Sequence, residues 1–94
     1  MPAYAIAQIV VHNPEEYMKY ASQTVASAEK FGGKFLVKGG KAEWIEGTGS
    51  DRNVIVEFES VEAAKAWYNS DEYQKILPIA LANSTRTMVL VEGV

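Results

Sequence analysis

The sequence is short of the groups that most often perform catalysis or bind metals. It has no cysteine, which excludes disulfides and thiolate chemistry, and His12 is its only histidine. Because a zinc site needs several His or Cys ligands, a lone histidine argues against a metal held by protein side chains alone. We therefore predict neither a metal nor another cofactor.

The chain also lacks an excess of positive charge and any long apolar run. Its 9 Lys and Arg against 12 Asp and Glu give a net charge of −3, whereas a nucleic-acid-binding domain normally carries a basic surface to neutralise phosphates. No apolar run approaches the length of a membrane span, and residues 1–4 do not open a secretory signal. We expect a cytoplasmic protein that binds neither nucleic acid nor membranes.

What is present is the composition of a small globular protein. Of the 94 residues, 48% are apolar, which is ordinary for a folded domain. A chain of this size buries roughly two-thirds of its unfolded surface, so its core is adequate but thin. These values predict one domain over residues 1–94.

The first half of the chain predicts a strand, a helix and a second strand. Tyr4–Val11 is an apolar run rich in Ile and Val, typical of a buried strand. Asn13 is a good N-cap and Pro14 suits the first helical position, and the helix should continue to about Phe31, before two glycines. Lys34–Lys38 alternates charged and apolar residues and predicts the second strand.

The second half predicts two more strands around a broken helix. Ala42–Ile45 predicts a short extension paired with a neighbouring strand or with a partner chain. Asn53–Phe58 predicts the third strand and Thr87–Val91 the last. Near Ser70 the intervening helix should break, and Ser70 can cap the next turn. Pro78 should prevent a smooth helix because it lacks an N–H and clashes with the preceding turn.

This order of elements predicts an α+β, ferredoxin-like βαββαβ sandwich, in which two helices cover one face of a four-stranded antiparallel sheet. The other face would carry Ile6, Val10 and Ile55 beside the polar Gln8 and Glu57. Such a face is too apolar to stay in contact with water on a monomer. A second copy packed sheet to sheet would cover it, so we predict a homodimer with two-fold symmetry.

Short motifs spread over nearly the whole chain resemble those of one known family. They are Asn13-Pro14-Glu15-Glu16-Tyr17, Gly32-Gly33-Lys34-Phe35 with Gly39-Gly40, Glu46-Gly47, Arg52 through Phe58, Ser60 with Glu62-Ala63-Ala64, Trp67-Tyr68, Ser70 with Glu72-Tyr73-Gln74, and Val91-Glu92-Gly93. The family is the bacterial domain of unknown function 1330, in the dimeric α/β-barrel superfamily.

The resemblance implies a ferredoxin-like protomer and a dimeric α/β barrel, but it implies no activity. Members of the superfamily include cofactor-free monooxygenases, small lyases and isomerases, and haem-binding decarboxylases, which use the cleft between sheet and helices. The lone His12 is poor support for haem. The chain departs from the family in having Glu59 where proline is common, and we expect a changed local turn there rather than a changed site.

Two basic side chains are candidates for catalysis or anchoring. His12 follows the first strand and could act as a general base, or it could be a solvated loop residue beside a helix N-terminus. Arg52 begins the third strand and could hold a carboxylate or phosphate with its planar fork. Alternatively, Arg52 pairs with Asp51, with Glu57 or with an acid of a partner copy.

Polar residues on the second sheet face form a further candidate site. Gln8 and Glu57 should lie on adjacent central strands and share the face turned away from the helices. Glu57 could then serve as a general acid or base. The alternative, which we favour, is a buried Glu57 paired with Arg52 that holds a dimer together.

Aromatic residues could line a pocket for a planar ligand. We consider Trp44, Tyr68 and Tyr73 for this role, whereas Trp67 is expected in the core because of its helical spacing. Tyr68 and Tyr73 flank the break at Ser70 and are the better candidates for a pocket rim, since their hydroxyls need partners.

Two functions follow from these candidates. In the first, the protein binds a small aromatic or carboxylate ligand in the barrel cleft, as a binder or as an enzyme without a cofactor. In the second, the protein is a non-catalytic dimeric module, accessory or regulatory, whose polar groups only fix the register of the dimer. The sequence does not decide between them.

Overall fold

The computed structural model describes residues 1–94, which form four strands and three helices. In chain order these are β1 (Ala3–Val11), α1 (Pro14–Glu29), β2 (Lys34–Lys38), β3 (Arg52–Phe58), α2 (Val61–Tyr68), α3 (Asp71–Asn83) and β4 (Ser84–Glu92). The strands make one antiparallel sheet in the order β2-β3-β1-β4. The predicted ferredoxin-like α+β fold is confirmed. None of the helices combines the length and the apolar character needed to cross a bilayer.

Alternation along the central strand β1 defines the buried face of the sheet. Ala3, Ala5, Ala7 and Ile9 are each no more than 3% exposed, because successive side chains of a strand point to opposite faces. Across β1, Ala5 is opposite Val56 of β3 and Leu90 of β4. The helices therefore cover the predicted face, and the even-numbered residues of β1 face away from them.

Each helix begins at the residue that its sequence predicts. The Asn13 side chain accepts the backbone N–H of Glu16 (3.3 Å), and the Ser60 hydroxyl accepts that of Ala63 (3.1 Å). Ser70 accepts the backbone N–H of Tyr73 at 3.2 Å, which starts α3 after the break. These bonds satisfy donors that a helix leaves without internal partners.

Three aromatic side chains join the helices to the sheet. Trp67 of α2 packs on Phe58 of β3 and on Tyr73 of α3, with ring centroids 5.4 and 4.4 Å apart. The Trp67 indole N–H donates to the buried Ser27 hydroxyl of α1 at 3.1 Å. The predicted core position of Trp67 is thus confirmed, and its polar atom has the partner that burial demands.

Three local expectations differ from the structure. Within the protomer, residues 42–45 pair with no strand, because the Trp44 indole donates to the Ser50 carbonyl (3.2 Å) and closes the loop on itself. Pro78 lies inside α3 rather than ending it, since Pro78 and Gln74 are both exposed and water can satisfy the carbonyl that loses its partner. The last strand begins at Ser84, three residues earlier than expected.

A close approach at Gly33 yields a test of this packing. A Cβ at Gly33 would lie 2.8 Å from a Phe58 ring carbon and 2.9 Å from the Ala28 carbonyl oxygen, whereas one at Gly40 would meet nothing within 4 Å. We expect Gly33→Ala to lower the free energy of unfolding by about 1–3 kcal/mol, as overpacking does. Gly40→Ala, the matched control, should change it by less than about 0.5 kcal/mol. Equal losses in urea denaturation would contradict the packing.

Candidate functional site

The candidate site is a cleft between α1 and the helix-facing side of the sheet. Of the 16 residues that line it, 12 are hydrophobic, and its enclosed volume is about 50 Å³. That volume accommodates roughly three to five water-sized groups. The exposed Lys38 of β2 lines the cleft where it reaches the surface.

Small side chains make room for this cleft. Ala5 and Ala7 of the central strand and Ala21 of α1 all line it. A larger residue at any of these places would fill space between helix and sheet, which in protein interiors is normally close-packed. The cleft is therefore encoded in the central strand, where Ala is less common than Val or Ile.

Two arginines on the sheet bring positive charge into this apolar cleft. Arg52 of β3 and Arg86 of β4 are both opposite Ile9 of β1, one on each side. They share the helix-facing side with Ile9, and both line the cleft. Arg52 Nε and Arg86 Nη1 are buried and have no acceptor among the protein's groups. A buried donor without a partner costs about 1–3 kcal/mol, and more when it is charged.

Arg86 is held by a pair of tyrosines. Its Nη2 donates to the Tyr20 hydroxyl (3.3 Å), its guanidinium lies over the Tyr20 ring at 5.2 Å, and the hydroxyls of Tyr20 and Tyr73 are 2.8 Å apart. Burial lowers the pKa of Arg86, but Tyr20 and Tyr73 outweigh it and the net shift is upward. Arg86 therefore stays positively charged and is held in place by Tyr20, which is bonded to Tyr73.

Arg52 is positioned by a glycine and a third tyrosine. Gly39 has a positive φ of 72°, and a Cβ there would lie 2.8 Å from Arg52 Cζ, so the guanidinium occupies space that only glycine leaves open. Tyr17 is a second neighbour of the Arg52 guanidinium. Burial raises the pKa of Tyr17, while Arg86 and Arg52 favour its phenolate and work against that rise. The Tyr17 ring is therefore within electrostatic reach of both cations.

The charges lining the cleft are all positive. Arg52, Arg86 and Lys38 line it, and no Asp or Glu does. Charged donors buried away from water are normally paired with anions. Two planar guanidiniums with unpaired donors in a mainly apolar cleft are suited to binding a carboxylate or another oxyanion.

Of the sequence candidates, only Arg52 lies in this cleft. The alternative pairing of Arg52 with Glu57 is wrong, because Arg52 is opposite Ile9 and Glu57 is opposite Tyr4. They are five positions apart, which places them on opposite faces of the sheet. His12 is exposed outside the cleft and shares a 2.6 Å hydrogen bond with the Thr85 hydroxyl.

Gln8 and Glu57 share the outer face, as expected, but they do not meet. Glu57 is opposite Tyr4, whose hydroxyl donates to it at 3.3 Å, and Gln8 is opposite Asn53. The register separates the two by four positions, about 13 Å along the strand. They do not form one site.

The aromatic candidates separate into two groups. Trp44 is in the exposed loop and lines neither cavity, whereas Tyr68 and Tyr73 border a second cavity of about 170 Å³ beside β4. Arg86 lines both cavities. The two cavities are therefore adjacent at Arg86.

Sequence reasoning missed Arg86, Tyr17 and Tyr20. The signal for Arg86 was its period-two spacing with Met88 and Leu90, both of which pack on the core. Starting the last strand at Thr87 hid that spacing. Tyr17 was expected on the buried side of α1 and Tyr20 was not, and nothing in the sequence indicated which cations they would meet.

This arrangement defines a class of protein: a ferredoxin-like sandwich with a cationic cleft between its first helix and its sheet. The model of the domain of unknown function DUF1330 matches residues 2–94. The chain therefore belongs to that family, as the sequence motifs predicted. No curated protein matches its sequence.

Solved structures share this fold at low identity. A protein of unknown function from Rhodopseudomonas palustris is 17% identical, with a TM-score of 0.82 over 99% of this chain and 82% of its own. A dimeric ferredoxin-like protein of unknown function from Jannaschia sp. CCS1 is 12% identical, with a TM-score of 0.81 over 99% and 100%. SnoaB, a cofactor-independent oxygenase from Streptomyces nogalater, is 14% identical, with a TM-score of 0.74 over 99% and 93%. At these identities the likeness shows the fold alone.

The buried hydroxyl of Tyr73 predicts a loss of stability in alkali. Burial and the neighbouring Tyr20 raise the pKa of Tyr73 well above its ordinary value of 10.0. Above that value the unfolded chain releases this proton while the folded chain keeps it, so stability falls as pH rises. We expect the free energy of unfolding of Tyr73→Phe to fall less steeply between pH 10 and 11.5, by up to about 1.4 kcal/mol per pH unit. Parallel pH profiles in urea titrations would contradict this.

Proposed function

We propose that this protein binds a small organic carboxylate in the cleft between α1 and the sheet, with Arg52 and Arg86 as the anchoring residues. The observation that carries the proposal is the pair of buried guanidinium donors without acceptors, in a cleft lined by no acid. A bound carboxylate would supply an acceptor and the opposite charge together. The apolar walls would take the carbon skeleton.

The size of the cleft limits the ligand. With a volume of about 50 Å³, it suits a small acid with a short carbon skeleton, and any larger part would lie near Lys38 at the surface. SnoaB, which has this fold, is a cofactor-independent oxygenase. An enzyme that uses this cleft could likewise work without a cofactor. Tyr17, within electrostatic reach of both arginines, is the group to test for proton transfer.

A panel of matched ligands tests the proposal directly. Acetate, butyrate and benzoate would be compared with acetamide, butyramide and benzamide by titration calorimetry, because each amide keeps the shape of its acid and removes the charge. We expect at least one acid to bind about tenfold tighter than its amide, as the loss of a charged hydrogen bond implies.

Variants assign that affinity to the cleft. Arg86→Gln and Arg52→Gln should each remove most of the acid's advantage over the amide, whereas Lys75→Gln, on the exposed side of α3, should leave it unchanged. If both arginine variants keep a folded dimer and no acid binds to any form of the protein, the non-catalytic module becomes the better account.

We also propose that two copies pack through the outer face of the sheet. Val10, Val89 and Val91 of that face are 45%, 53% and 43% exposed, and Ile6 is opposite both Val89 and Ile55. An apolar patch of this kind marks an interaction surface. Relatives from Jannaschia sp. CCS1 and Thermobifida fusca are dimeric ferredoxin-like proteins.

A charge on this face should separate the copies. Val89→Glu places a carboxylate beside Ile6 in the middle of the patch, where burial without a partner is costly. We expect the parent protein to sediment as a dimer and Val89→Glu as a monomer at micromolar concentration. Met18→Glu, on the outside of α1 and 61% exposed, is the control and should remain dimeric. A dimeric Val89→Glu would exclude this interface.

A further inference from the structure

The two arginines of the cleft reach it from different strands, one on each side of β1. Both are opposite Ile9, on strands that flank β1. Two strand spacings of about 4.8 Å place their Cα atoms about 10 Å apart. Their side chains have different neighbours, since Arg52 passes over Gly39 and Arg86 donates to Tyr20. The cleft therefore has two cationic positions rather than one.

Each position carries its own unsatisfied donor. Arg52 Nε is buried without an acceptor on the β3 side, and Arg86 Nη1 is buried without one on the β4 side. A single carboxylate has two oxygens and pairs most strongly when both meet one guanidinium. One such group at Arg86 would leave Arg52 Nε without its partner, and one at Arg52 would leave Arg86 Nη1 without its partner.

The surface between the two cations is apolar. Ile9 lies between them on the sheet, next to Ala7, and both line the cleft. This surface suits a short carbon chain rather than a second polar group. The two cations and the apolar surface between them thus match a molecule with an anion at each end.

We infer that the ligand of this cleft carries two carboxylates joined by a short carbon chain, with one carboxylate bound by Arg52 and the other by Arg86. The inference rests on the proposed function and names its substrate class. Tyr20 and Tyr73 hold Arg86 in position for one end. Gly39 makes room for the Arg52 side chain that binds the other. Lys38, at the surface, adds a third positive charge near the entrance.

The test compares acids of equal chain length that differ only in their second charge. Succinate, glutarate and adipate would be titrated against butyrate, pentanoate and hexanoate on the full chain by calorimetry, with inorganic phosphate as a single-group dianion. We expect one dicarboxylate to bind about tenfold tighter than its partner, because a second charged hydrogen bond contributes about that much. The best chain length reads out the separation of the two guanidiniums.

Single variants then show whether each arginine holds one end. Arg52→Gln and Arg86→Gln should each bring the best dicarboxylate to the affinity of its monocarboxylate, while Lys75→Gln leaves the difference intact. Arg52→Lys and Arg86→Lys keep the charge and should retain part of it, which guards against a glutamine variant that fails to fold.

Three results would overturn the inference, and they differ in what they leave standing. If monocarboxylates bind as tightly as dicarboxylates, the two-ended ligand is wrong and the carboxylate site remains. If phosphate binds as tightly as the best dicarboxylate, one compact dianion bridges both arginines and the two-ended ligand is again wrong. If no acid binds better than its amide, the proposed function itself fails.

Discussion

The structure depends on what the inner face of β1 carries. Its alanines let the flanking strands and helices close around it, and they also leave the volume that becomes the cleft. At Ile9 this inner face is no longer purely apolar, because Arg52 and Arg86 lie on the two sides of that residue. The central strand therefore fixes the core, the room for a ligand and the position of the charge.

Keeping two guanidiniums in such a place requires compensation. Desolvation of a cation costs several kcal/mol unless other groups replace its water. The Tyr20 hydroxyl and ring replace part of the water around Arg86, and Tyr73 in turn holds Tyr20 by a hydrogen bond. Arg52 has the neighbouring Tyr17 instead. These hydroxyls support the cations, and no Asp or Glu lines the cleft to neutralise them.

Much of the fold could be predicted from the sequence, because local chemistry determined it. Asn13, Ser60 and Ser70 marked the helix starts, and alternation along β1 identified its buried face. Pro78 was misread because its penalty depends on whether water reaches the freed carbonyl, which is a tertiary property. The cleft was hidden for a similar reason. Alternation along β3 placed Arg52 on the helix-facing side, but its position beside Ile9 and opposite Arg86 followed from a register that only the paired sheet supplies.

The position of the charge also bears on how the fold could serve different ligands. The chain has a net charge of −3, yet every charged residue lining the cleft is positive, so attraction for an anion is local and the surrounding surface opposes it. The attraction of the arginines for an anion acts within a Debye length of about 8–10 Å, and salt screens it at larger distances. Any attraction of an anion to the cleft is therefore short-range. Replacing Arg52 would leave the helix caps and the alanine row in place, because neither involves it. Arg86 differs, since its contact with Tyr20 joins it to the aromatic core. One sandwich architecture can support unrelated functions where its site residues are separate from its core.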